Sequence, residues 1–118
     1  MGRWYRVFGS LDTPPSLSAD APLVLERYRA DEEGIRTELN SWAAYLETCD
    51  GPHHIPLMER TIQTRQLFTL HDPTEAGLDH ACVTLCQHLA TLTAGFYQID
   101  DIGFFAADGT LLVSERRD

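Results

Sequence analysis

Lysine is missing from this chain: all nine basic residues are arginine. That absence removes several chemistries at once. A Walker A phosphate loop needs its lysine, and GxxxxGK does not occur. No Schiff base, pyridoxal-phosphate anchor or serine–lysine dyad can be built. Cysteine is scarce too, three residues in 118, with no CxxC pair to seed a zinc or redox site. The odd count fits a reducing compartment. No apolar run approaches the roughly 18 residues of a membrane span, and "MGRWYRVFGS" has no apolar secretory core. It opens Met-Gly, yet Arg6 stands where an N-myristoylation signal takes serine or threonine. Nucleophile elbows, GxGxxG, HExxH and the EF-hand spacing are also missing. The expected location is cytoplasmic.

Positive charge is in short supply. Nine arginines face 18 acidic residues, for a net charge of −9 and a pI near 4.8. Nucleic acids and anionic membranes select a positive footprint, so neither is an expected partner. An acidic surface is first of all a solubility device; a protein partner with basic character is the sharper alternative.

What is present describes one α+β domain of ordinary composition, 43% apolar and 23% charged. "RWYRVFG" (3–9) is aromatic and β-branched and reads as a strand. It places Trp4 and Phe8 on one face, Tyr5 and Val7 on the other. "SLDTPPSLSADAP" (10–22) is loop chemistry, and "LVLERY" (23–28) is a second strand. Asp31 is positioned to cap a helix, with Glu32 and Glu33 in its first turn. Ile35, Leu39, Trp42, Leu46 and Cys49 then share one stripe as far as Gly51-Pro52. Trp42 is expected in the core, and Cys49 among the buried residues.

A helical turn around Leu57 to Thr61 leads into a strand near 65–71. Pro73 opens a second long helix, 74–94, with Gly95 as its C-terminal cap. The tail is β-rich: Asp100-Asp101 marks one bend, and Asp108-Gly109 is a hairpin turn between "IGFF" and "TLLVSE". The predicted architecture is an antiparallel or mixed sheet of five to six strands, with two long helices packed on one face. A ferredoxin-like core with an added hairpin is one form it can take.

"LHDPTEAGLDHACVTLCQH" (70–88) concentrates three histidines and two cysteines, the residue types of a metal site. The helical wheel separates them. Cys82 falls near the centre of an apolar arc with Leu78, Leu85, Leu89 and Leu92, and Cys86 at its edge. His80, Thr84, Gln87, His88 and Thr91 occupy the opposite face. His80 and His88 stand two turns, about 12 Å, apart, too far for one ion bound at about 2 Å from each. Cys82 and Cys86, at i and i+4, hold their Cβ atoms about 5–6 Å apart, where a disulfide needs about 3.5–4.5 Å. Both read as small buried hydrophobes.

No catalytic residue and no cofactor follows from any motif. The metal-binding alternative draws on loop residues: His53 and His54 in a Gly/Pro turn, His71-Asp72 at a strand end, and Asp100-Asp101 in the later bend. His71-Asp72 shares two residues with the "HD" pair of metal phosphohydrolases, which are all-helical. Asp72 otherwise caps the coming helix.

Four segments, "WYRVFGS", "EEGIRTELNSWAAYLE", "IQTRQLFTL" and "GFFAADGTLLVSE", resemble the running pattern of a family of small uncharacterised bacterial proteins. The resemblance implies no activity, cofactor or catalytic residue. Members of that family carry a longer segment between the first strand and "LERY", worth roughly a helix and a strand. Only the Pro/Ser loop stands there in this chain.

Two functional classes follow. One is a non-enzymatic interaction module, such as a regulator or an immunity-type protein that masks a basic partner. The other is a metal-assisted hydrolase whose histidines and aspartates converge on folding. Because the strands carry apolar bulk on both sides and two helices cover one face, a two-fold homodimer is the simplest closed assembly.

Overall fold

A computed structural model describes residues 3–15, 23–72 and 79–115. In chain order the elements are β1 (Trp4–Gly9), β2 (Val24–Arg29), α1 (Ile35–Glu47), α2 (His54–Ile62), β3 (Gln66–His71), α3 (Asp79–Leu92), β4 (Phe96–Ile99), β5 (Gly103–Ala106) and β6 (Leu111–Ser114). The six strands form one sheet in the order β2-β3-β1-β4-β5-β6, each antiparallel to its neighbours. The expected α+β class and strand number are found.

The helices do not share a face. Strand side chains alternate between faces, and that alternation sorts the core into two halves. Tyr5, Val7, Phe68, Leu70, Tyr97 and Ile99 pack with Cys82, Cys86, Leu89 and Ala90 of α3. Phe8, Leu67, Phe96, Phe104 and Val113 pack with Ile35, Leu39 and Leu46 of α1 and Leu57 of α2. The two long helices therefore lie on opposite faces, a correction to the single-face expectation. The physical reason is on β1 and β3 themselves: apolar residues on both sides demand two covers. α3 spans β1 on its way from β3 to β4, and the α1–α2 hairpin between β2 and β3 folds over the other side. α3 thus covers one face, and the α1–α2 hairpin covers part of the other. In a ferredoxin-like βαββαβ unit each crossover carries a helix. Here the described part of the β1–β2 link, residues 10–15 and 23, has none.

Local details depart from expectation where side chains found other partners. α1 begins at Ile35, not Asp31. Asp31 pairs with Arg29 at 2.6 Å, the Glu32 carboxylate takes the Arg29 amide, and Gly34, at φ +84°, caps the helix instead. The single turn expected around Leu57 is a nine-residue helix. Its Pro56 sits in the first turn, where a missing N–H costs no helical bond. In α3, Cys82, Cys86, Leu89 and Ala90 are buried whereas Leu92 is 45% exposed. Cys86 thus lies at the centre of the buried face and not at its edge. The expected helix start at Pro73-Thr74, and Leu78, fall outside the described residues.

The end of α3 shows why Gly95 is a glycine. Ala94 carries the left-handed conformation, φ 52°, and the Gly95 amide donates to Ala90 O at 2.8 Å. This is the closing bond of a Schellman motif with alanine where glycine is usual. Gly95 answers a different need: a Cβ there would stand 2.0 Å from Phe8 O. Gly95→Ala is therefore expected to force β1 and β4 apart and unfold the domain at temperatures wild type survives. Ala94→Gly is expected to raise stability by up to about 1 kcal/mol. Thermal denaturation of the two variants measures both.

None of the cysteines forms a disulfide. Cys49 is only half-buried, with Sγ donating to Tyr45 O at 3.4 Å, because it lies beyond the last turn of α1. Cys82 and Cys86 are fully buried. Burial pushes both thiols up, helped at Cys82 by Asp72 and Asp79. Titration of the native protein with a thiol reagent at pH 8 should show one fast equivalent, Cys49, with the other two appearing only on unfolding.

Candidate functional site

Sheet register builds the site row by row on the face of α1 and α2. The row nearest the hairpin is Tyr28, Leu67, Phe8 and Phe96, aligned across β2, β3, β1 and β4. It is apolar and covered. The next row is Glu26, Thr69, Arg6 and Gln98, and beyond it stand Val24, His71 and Trp4. Here the helices stop. Trp4 is 38% and Val24 37% exposed, so this end of the face forms an open shelf.

Arg6 organises the shelf. It points from the central strand into the boundary between covered and open sheet. Its Nη1 donates to Asp100 Oδ1 at 2.6 Å and to Gln98 Oε1 at 2.9 Å. Its buried Nε, without a hydrogen bond among the described residues, lies 3.9 Å from Glu38 Oε1 on α1. Its guanidinium carbon sits 4.9 Å from the centre of the Trp42 ring. Trp42 is half-buried, not enclosed in the core. It bridges the core through Phe104 and Phe8, edge-on at 5.8 and 6.3 Å, and roofs the guanidinium on its other side. Gln98, fully buried, relays the network by donating to Asp100 at 3.1 Å and Glu115 Oε2 at 2.9 Å.

The result is a carboxylate-rich patch. One guanidinium serves Glu38, Asp100 and, through Gln98, Glu115. Burial raises the Glu115 carboxyl, with Asp100 and Asp101 adding to the rise and Gln98 and Arg6 opposing it. Across the face, Glu26 accepts from Tyr28 Oη at 2.8 Å, which raises that phenol. Trp4 and His71 rings lie 4.1 Å apart, tilted by 38°. His71 Nδ1 is buried and has no hydrogen-bond partner among the described residues.

The sequence-derived candidates divide between two places. His71 and Asp100 flank Trp4: His71 is its register partner on β3, and the Asp100 amide donates to Trp4 O at 3.2 Å. Asp72 follows His71, and Asp101 follows Asp100 with φ 68° in the β4–β5 turn. His53 and His54 lie elsewhere, at the start of α2, where His54 Nδ1 is 3.0 Å from Leu46 O. Among the described residues no three histidine, cysteine, aspartate or glutamate side chains stand close enough to share a metal ion. Sequence reasoning missed Arg6, Gln98, Glu26, Glu38 and Glu115. Arg6 and Gln98 had a signal, each being a polar residue inside an otherwise apolar strand. The two-residue period relates residues of one strand only, and the register that sets Arg6 opposite Gln98 puts the two on one face, side by side.

The raised Glu115 carboxyl has a sign that can be tested. Its ionisation is disfavoured in the folded state, so the contribution is present below the ordinary glutamate range and lost as pH rises through the folded value. Glu115→Gln keeps an acceptor for Gln98 and removes the charge. The variant should match wild type near pH 3 and become the more stable of the two toward pH 7, as read from melting temperature against pH.

No helix among the described residues is long and apolar enough to cross a membrane. In comparisons with known proteins, no family model, no curated protein and no solved structure matches the chain.

Proposed function

We propose that the chain is a non-enzymatic interaction domain that masks or regulates a basic protein, and that the shelf is where a basic segment of that partner docks. The observation that carries this reading is the exposed Trp4 ring set in a row bordered by Glu26, Glu38 and Asp100. A tryptophan face and neighbouring carboxylates are what a guanidinium or ammonium group selects. The net charge of −9 steers such a partner in from a distance. The same charge opposes a second copy of the chain at this face, since like patches facing each other repel. Arg6 holds Asp100 and Glu38 in place at half-buried positions, and Glu26, exposed beside them, is held by Tyr28 and keeps its charge free of any guanidinium among the described residues.

Calorimetric titration with a synthetic arginine-rich peptide tests the reading. Trp4→Ala and Glu26→Gln are each expected to weaken binding by about tenfold, the scale of a desolvated cation–π or charge-assisted contact. Glu47→Gln, at the exposed end of α1, removes the same charge away from the shelf and should change affinity less than twofold. Equal losses in all three variants would reduce the binding to net charge and remove the shelf from the account.

A further inference from the structure

Arginine is scarce in this chain and unevenly spread. Of the seven arginines among the described residues, four line one cleft at the other end of the sheet from Trp4: Arg27, Arg29, Arg36 and Arg65. The cleft has a volume of about 570 Å³ and is built where β2 ends, α1 begins and β3 starts. A protein with twice as many acids as bases has thus gathered guanidinium groups where three elements meet.

The four side chains are held in two ways. Arg29 and Arg65 pair with Asp31 at 2.6 Å and Asp12 at 3.0 Å. All four groups are more than 60% exposed, so these pairs contribute little and exchange readily for a ligand. Arg27 and Arg36 have no carboxylate partner among the described residues. Arg27 donates to Gln66 Oε1 at 2.6 Å and Asp12 O at 3.2 Å. Arg36 donates to Ile62 O at 2.8 Å and Thr64 O at 3.4 Å. Neutral acceptors fix the direction of both guanidinium groups and leave their charge uncompensated. Gln66, itself fully buried, is anchored by donating to Leu11 O and Thr13 O. The cleft wall is therefore built before any ligand arrives.

We propose that this cleft binds a small phosphorylated molecule. A guanidinium fork recognises carboxylate and phosphate alike, so the choice rests on number and direction. A carboxylate offers two oxygens in one plane and is satisfied by a single fork. Guanidinium groups arriving from β2, from α1 and from the entry to β3 suit a phosphoryl group, whose three oxygens point in different directions. The volume falls in the range of small-molecule sites and exceeds what a bare ion fills. Pro14 and Ala30 supply apolar wall for the remainder of such a ligand.

Calorimetry of the full chain at low salt, with pyrophosphate and citrate as separate probes, decides the matter. Pyrophosphate should bind at one site per chain and at least tenfold more tightly than citrate. Arg27→Gln should abolish the pyrophosphate signal. Arg29→Gln, at an exposed position that leaves folding intact, should weaken it about tenfold. Arg3→Gln, which removes one exposed positive charge at the N-terminal side of β1, should leave it unchanged. No saturable pyrophosphate binding at millimolar concentration would overturn the proposal. So would citrate binding as tightly as pyrophosphate, or equal weakening by Arg3→Gln and Arg29→Gln.

Discussion

The arrangement depends on a charge placed inside the sheet. Arg6 sits on the central strand, with β3 on one side and β4 on the other, and its side chain is only 17% exposed. A guanidinium that far from water must find acceptors or the strand cannot hold its place. Asp100 and Gln98 supply them, Glu38 approaches from α1, and Trp42 closes the top. These partners come from β4, from the β4–β5 turn and, twice over, from α1, so the single residue ties all three to β1. It also marks where the apolar cover ends. On one side of Arg6 lie Phe8, Phe96 and Phe104, within 4.8 to 6.4 Å of one another. On the other lies the open row of Trp4, His71 and Val24.

That boundary separates two kinds of chemistry along the strand direction. Toward the end of β2 and the start of β3 the molecule presents four guanidinium groups, two held by carbonyl oxygens and two by exposed carboxylates. Toward the start of β1 and the end of β3 it presents carboxylates and an indole. The antiparallel register keeps the two apart, because the order of residues along β2 fixes which end each occupies: Arg27 and Arg29 at one, Val24 and Glu26 at the other. A chain of large net negative charge can hold a positive cleft in this way, since only two carboxylates, Asp12 and Asp31, join the four arginines in its lining, and both are exposed.

Much of the fold was legible because local rules and the final structure agree. The alternation in "WYRVFG" assigned Tyr5 and Val7 to one face and Trp4 and Phe8 to the other, as found. Asp108-Gly109 makes the β5–β6 turn, with Gly109 at φ +94° and Asp108 accepting from the Thr110 amide. The placement of α1 opposite α3 was not legible, since periodicity tells which stripe of a helix is buried and nothing about which side of the sheet receives it. Two-sided apolar strands call for cover on both faces, and only the fold shows that the chain's own α1–α2 hairpin supplies much of the second. The site was less legible still. Pairs such as Arg6 with Asp100, or Gln98 with Glu115, are 94 and 17 residues apart. Histidines and cysteines drew attention by type, and the arginines by their number alone. Which arginines converge is set by β2–β3 register and by the carbonyls that orient Arg36, neither of which is written in a local pattern.

On the proposed function, the open row beyond Arg6, and not the acidic surface at large, meets the partner. Amide and indole shift mapping by ¹H–¹⁵N NMR, during titration with a basic peptide, addresses it most directly. The largest shifts are expected at the Trp4 indole N–H and at the amides of Glu26, Thr69, His71 and Asp100, with α3 unmoved. Shifts spread evenly over all acidic positions, or centred on the outer surface of α3, would contradict it.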